Sequence, residues 1–119
     1  MVHALVGLEL RTYREAIASA LQIARPQAVV STTEPEALES EISRLEPHMV
    51  LCTQSTPALR DGVPCWVQMS IVEEELCAEV SLDGQTRRVS NITLAELVSV
   101  VDEAEALAQG GEAYGYKEL

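Results

Sequence analysis

Short aliphatic and β-branched runs alternate with segments of helical period through the first half of the chain, and this alternation constrains the fold more than any other feature. Residues 2–8 are an apolar run bounded by charge, with the length of a buried strand. From Thr12 the period changes: Tyr13, Ile17, Ala20, Leu21 and Ala24 recur at helical spacing, with Arg14, Glu15 and Gln22 on the other side. Pro26 ends this helix, because it has no N–H to donate and disfavours helical geometry at Arg25. Residues 27–32 (QAVVST) form a second short strand. Thr33-Glu34-Pro35-Glu36 reads as a capping box, in which the Thr33 hydroxyl and the Glu36 carboxylate each accept from the other residue's backbone N–H. The helix it opens shows Leu38, Glu41, Ile42 and Leu45 at a spacing of three to four and stops before Pro47. Residues 48–53 (HMVLCT) are a third buried strand.

The second half is less regular. Residues 54–63 read as a polar loop or short turn, and Pro64 opens a fourth strand over 65–70. Residues 71–76, with three consecutive glutamates, read as a loop or one helical turn. Residues 77–82 and 86–90 flank Asp83-Gly84, a two- to three-residue hairpin signal. Thr93 and Glu96 repeat the capping-box pattern and open a helix with Leu94, Leu97, Val98, Val101, Ala104 and Ala108 on one face. Gly110-Gly111 is expected to stop it, leaving 112–119 as a loose tail. The order is β-α-β-α-β-β-(β-β)-α. Such an order implies an α/β three-layer sandwich: a mostly parallel sheet, helices on both faces and an antiparallel hairpin at one edge. One domain is expected over 1–110, followed by a tail at 111–119.

Charge narrows the partners. The formal net charge is −11, and the basic residues are seven scattered Arg and one Lys. Nucleic-acid binding needs clustered cations to displace counterions from phosphates, so nucleic acid is not an expected partner, and neither is an anionic membrane surface. No apolar run approaches the ~20 residues that span a bilayer, and the first residues lack the basic start of an export signal. A cytoplasmic location follows as the expectation, with Cys52, Cys65 and Cys77 as reduced thiols whose spacing matches no zinc pattern.

Residues 5–17 (LVGLELRTYREAI) resemble the start of a response-regulator receiver domain, where a strand delivers two acidic residues and a helix follows with an Arg-Glu-aliphatic run, here Arg14-Glu15-Ala16-Ile17. Residues 47–53 (PHMVLCT) are similar to that family's third strand, which reads Pro-Asp, apolar residues and then the phospho-accepting Asp. Residues 64–70 (PCWVQMS) are similar to its fourth, which ends in Ser or Thr. The resemblance covers residues 2–70 and implies a receiver-like, flavodoxin-like sheet. It also implies where the family's pocket falls: the acceptor position on Thr53, the acidic pair on Leu8 and Glu9, the hydroxyl on Ser70. Receiver chemistry needs a carboxylate nucleophile, an acidic pair to hold Mg²⁺ and a lysine on the phosphoryl group. Here the acceptor is a threonine and one of the two acids is a leucine. The only lysine is Lys117, and Asp61, Asp83 and Asp102 all fall in predicted turns or helix. Phosphorylation on Asp is therefore not expected, nor is any catalytic residue, cofactor or metal. Glu9, Thr53 and Ser70 stand as a vestigial pocket.

Other constellations point less far. In open parallel sheets, ligands sit beyond the carboxyl ends of the strands. That edge is expected to collect Glu9, Ser31, Thr32, Thr53, Gln54, Ser55 and Ser70 as a hydroxyl-rich rim. If the first and third strands are neighbours, His3 and His48 both lie near the amino ends of adjacent strands, at the edge opposite that rim. Glu73-Glu74-Glu75 reads as a solvated face, since consecutive residues do not share one side of a helix or strand. The functional expectation is a non-catalytic, pseudo-receiver signalling domain acting by protein contact. Its partner is another protein or a second copy, met through the Asp-Gly hairpin with Arg87-Arg88 or the last helix. The alternative is a small molecule held on the polar rim.

Overall fold

The aliphatic runs at 3–7 and 49–52 become strands because their side chains are buried on both faces of one sheet, while the run at 29–32 pairs at its edge and is only half-buried. The computed structural model of the chain describes residues 2–54 and 56–117. Strands β1 (His3–Gly7), β2 (Val29–Thr32), β3 (Met49–Cys52) and β4 (Cys65–Val72) run parallel, and β5 (Glu75–Leu82) and β6 (Gln85–Ser90) continue the sheet antiparallel. The strand order is β2-β1-β3-β4-β5-β6. The fold is α/β with a mixed sheet, as the alternation implied.

The pleat sorts the core into two. On one face Ala4, Val6, Met49, Leu51, Cys65, Val67, Ala78 and Val80 pack with Ala18 and Leu21 of helix α1 (Arg11–Ala24) and with Leu97, Val100, Val101 and Ala104 of α4 (Leu94–Lys117). On the other, Leu5, Val50, Cys52 and Trp66 pack with Leu38 and Ile42 of α2 (Leu38–Leu45) and Leu59 of α3 (Pro57–Gly62). These are the three layers. Gly7 permits the close approach of the second helical layer: a Cβ there would stand 2.9 Å from Leu38 Cδ1. Among the described residues no helix is long and apolar enough to cross a membrane.

Two ion pairs fix α4. Arg25, just past α1, grips Asp102 through two hydrogen bonds of 2.6 Å, and Arg87 of β6 meets Glu103 at 2.8 Å. The capping box at its start forms as expected, with Glu96 N–H donating to the Thr93 hydroxyl and Thr93 N–H to the Glu96 carboxylate.

Five expectations are corrected. Arg14 does not face solvent; it is buried, its guanidinium donating to the Leu8 carbonyl at 3.1 Å, while Tyr13 turns outward. The inward stripe of α1 is Arg14, Ile17, Ala18 and Leu21, because an arginine stem packs as an apolar chain when its head finds a carbonyl. The Thr33–Glu36 box does not form. Thr33 donates its hydroxyl to the Glu34 carbonyl, and a 3-10 turn over Pro35–Ala37 precedes α2. The loop expected at 54–63 contains α3: the Thr56 hydroxyl accepts from Leu59 N–H at 3.2 Å, Pro57 takes the first helical position, and Leu59 is fully buried. The loop or helical turn expected at 71–76 is a second β-hairpin. Finally, α4 continues through Gly110-Gly111 to Lys117, since a helical glycine costs about 1 kcal/mol but does not forbid the helix. Residues 118–119 of the expected tail lie outside the described residues.

Candidate functional site

A single difference in strand length makes a concavity at the carboxyl edge. β3 pairs with β4 only over Cys65–Gln68, whereas β5 pairs with it over Cys65–Val72. The last four residues of β4 therefore project beyond the parallel sheet, by about 13 Å at roughly 3.3 Å per residue. This overhang, with Leu76 opposite Ile71, stands as a wall facing the turn that leads from β1 into α1. Between wall and turn lies a cleft of about 310 Å³ lined by Leu8, Glu9, Leu10, Tyr13, Thr53, Met69, Ser70, Ile71 and Leu76.

Each lining residue is placed by its element. Leu8, Glu9 and Leu10 form the β1–α1 turn, held by Arg14 on the Leu8 carbonyl and by Arg14 N–H on the Leu10 carbonyl at 2.8 Å. Thr53 follows the last residue of β3 as the floor. Met69, Ser70 and Ile71 belong to the overhang. The three residues Glu9, Thr53 and Ser70 thus line one cleft. The wider rim does not join them. Ser31 is engaged by His3, whose ring nitrogen Nε2 lies 3.0 Å from the Ser31 hydroxyl; Thr32 and Gln54 are outside the lining, and Ser55 lies outside the described residues.

The cleft is more apolar than the expected rim. Leu10 and Ile71 are 68% and 74% exposed and Tyr13 37%, so three of the chain's exposed large apolar side chains stand around one opening. Sequence reading missed these walls. The signal was the alternation on either side of Glu73-Glu74, but the turn residues themselves gave no turn signature.

Its chemistry is sparse. Glu9 is the one ionisable carboxylate among the described lining residues, and no histidine, cysteine or basic side chain stands beside it. Among the described residues no cluster of His, Cys, Asp and Glu could hold a metal. The buried thiols lie elsewhere: burial pushes Cys52 and Cys65 up to about 12, so neither supplies a thiolate near neutrality. His3 and His48 meet at the opposite edge, where His48 Nδ1 accepts from His3 N–H at 3.0 Å and His48 N–H donates to the His3 carbonyl at 2.9 Å. Burial, and then the neighbouring His48, hold the His3 ring below its ordinary value. This pair ties β1 to β3 and has no part in the cleft.

No family model and no curated protein matches the chain. Among solved structures, methionyl-tRNA formyltransferase from Clostridium thermocellum is similar over 90% of this chain, with a TM-score of 0.47 and 8% identity. The chain spans 61% of the length of that enzyme. A likeness this distant carries no functional weight.

Proposed function

We propose that the chain is a non-catalytic, receiver-like regulatory domain of the cytoplasm that works by holding a small ligand at the carboxyl edge of its sheet, without phosphotransfer. The observation that carries this reading is the cleft itself: about 310 Å³, with Glu9, Thr53 and Ser70 on its lining and Leu10, Tyr13 and Ile71 exposed around it. Ligand sites in α/β sheets are concave, mostly apolar and furnished with a few polar groups at this edge. Exposed apolar side chains gathered at one opening are otherwise a liability in water. The acceptor position on Thr53 offers no carboxylate to phosphorylate.

A neutral apolar fluorophore, N-phenyl-1-naphthylamine, tests the reading. It is expected to brighten on the wild-type chain and to lose most of that signal on Leu10→Ser/Ile71→Ser. Exposed substitutions of this kind change stability by about 0.5 kcal/mol or less, so melting stays near wild type. Intact mass stays unchanged after acetyl phosphate and Mg²⁺. A wild type as dim as the variant, or a gain of one phosphoryl group, removes the reading.

Protein contact is the second reading, and a specific observation favours it. β6 ends the sheet and carries no acid; Arg87 is paired with Glu103, and Arg88 stands beside it, in a chain of net charge −11. A twofold β6–β6 pairing sets the arginines of two copies against each other, which is destabilising. The strand therefore suits an acidic partner segment, and a homodimer would meet through α4. Repulsion between two copies is screened over about 8 Å at physiological salt, so any self-association strengthens as salt rises. Sedimentation at tens of micromolar, in low and high salt, reads this directly; a monomer in both removes the homodimer.

A further inference from the structure

From the charge and size of the carboxyl-edge cleft we infer the class of ligand it takes: a compact molecule with an apolar body and a hydrogen-donating, neutral or cationic head, an alcohol or amine, and not a phosphate or carboxylate. The inference rests on the ligand-binding reading above and goes beyond it in assigning the ligand's chemistry.

Size comes first. At about 310 Å³ the cleft lies at the small end of ligand sites, which run about 300–1,000 Å³, so the part of the ligand it buries is small. The lining then sets the body. Leu8, Leu10, Met69, Ile71 and Leu76 offer aliphatic walls and Tyr13 an aromatic one, so the buried part of the ligand is hydrocarbon.

Charge sets the head. Two polar side chains belong to the cleft: the Glu9 carboxylate, which only accepts, and the Thr53 hydroxyl, which does either; Ser70 borders it through its backbone, since alternation along β4 turns its side chain to the face opposite Met69 and Ile71. A donor head satisfies both. One nearby feature argues for an anion. α1 begins at this turn with no side chain capping it, and the free N–H groups there carry a partial positive charge of about half a unit. Glu9, two residues before the helix, places a full negative charge at the same end and outweighs it. The buried guanidinium of Arg14 is taken by the Leu8 carbonyl and is not part of the lining. Among the described residues no basic side chain faces the cleft. The net charge of −11 adds a repulsive field for any anion.

Four compounds on one phenyl skeleton test this: phenethylamine, 2-phenylethanol, 3-phenylpropionate and phenyl phosphate, each titrated into the ¹⁵N-labelled chain and followed by amide shifts. The expected result is saturable shifts at Leu10, Tyr13, Thr53 and Met69–Leu76. The amine should be tightest, about three- to fivefold ahead of the alcohol, as an exposed carboxylate gives, and the two anions about tenfold or more behind the amine. Glu9→Gln, an exposed and fold-neutral change, should bring the amine level with the alcohol. Raising salt should narrow the same gap, because an exposed charge is screened. Anions that shift the cleft amides as strongly as the amine, or an amine advantage that survives Glu9→Gln, overturn the ligand class while leaving binding at the cleft intact. Cleft amides unmoved by all four compounds overturn the inference and the ligand-binding reading together.

Discussion

Leu97→Asp is expected to unfold the domain, and so is Val101→Asp. Each side chain is 2% exposed on the inner face of α4, in the cluster that also holds Val67, Ala78 and Val80 of the sheet. Removing the leucine's methyl groups costs about 2–5 kcal/mol, as large-to-small core changes do. Leaving a carboxylate there without a partner costs several more. Small domains have only about 5–15 kcal/mol in all. The two ion pairs on α4 cannot offset this. Arg25–Asp102 and Arg87–Glu103 are a third to half exposed, where such pairs contribute about 0–1 kcal/mol each. Circular dichroism should show no cooperative melt for either variant. Wild-type melting in both would mean that α4 is not docked on this face.

Glu73→Asn/Glu74→Gly is expected to do the reverse and stabilise the chain. Glu73 and Glu74 join β4 to β5 with φ of 51° and 67°. Two consecutive positive values are what a two-residue type I′ hairpin turn demands, and Asn-Gly is the pair that supplies them without strain. A glutamate in left-handed geometry costs roughly 1–2 kcal/mol through the clash of its Cβ with the backbone. Glycine gives part of that back through the greater freedom of the unfolded chain. The net gain expected is about 1–2 kcal/mol, read as a rise of several degrees in melting temperature. The other hairpin is the internal control, since Asp83-Gly84 already has φ of 53° and 84° with glycine in the second place. A melting temperature unchanged or lowered would show that the first turn is not type I′. The strain sits at the tip of the wall that encloses the cleft, where stored strain often accompanies function.

The two hairpins show why one was legible in the sequence and the other was not. Asp83-Gly84 names its own turn, and β5 and β6 follow from it. Glu73-Glu74 carries no turn chemistry, and three consecutive charges suit a loop or helix as well as a strand end. What makes it a hairpin is pairing at a distance: eight residues of β4 align with eight of β5, and this ladder holds the strained turn closed. Likewise α3 depended on burying Leu59 between α2 and the sheet, which a segment of polar and turn-forming residues does not announce. The orientation of Arg14 depended on a single carbonyl, that of Leu8, becoming available at the end of β1.

Periodicity and breakers determined the fold class and most of the docking face of α4, where Leu97, Val101 and Ala104 are buried as expected while Leu94 is exposed and Val100 takes a place in the core, because strand and helix periods fix which side chains share a face wherever one side must be buried. The same residues carry the expectation that no aspartyl phosphate forms, because Thr53 and not an aspartate follows the third strand. The cleft was settled only in three dimensions. Glu9 and Thr53 follow the predictable ends of β1 and β3, but Ser70, expected to end the fourth strand, lies inside it, and the walls exist because β4 and β5 outrun β3. Strand overhang is a property of pairing between distant segments, whose register no local pattern in the chain specifies.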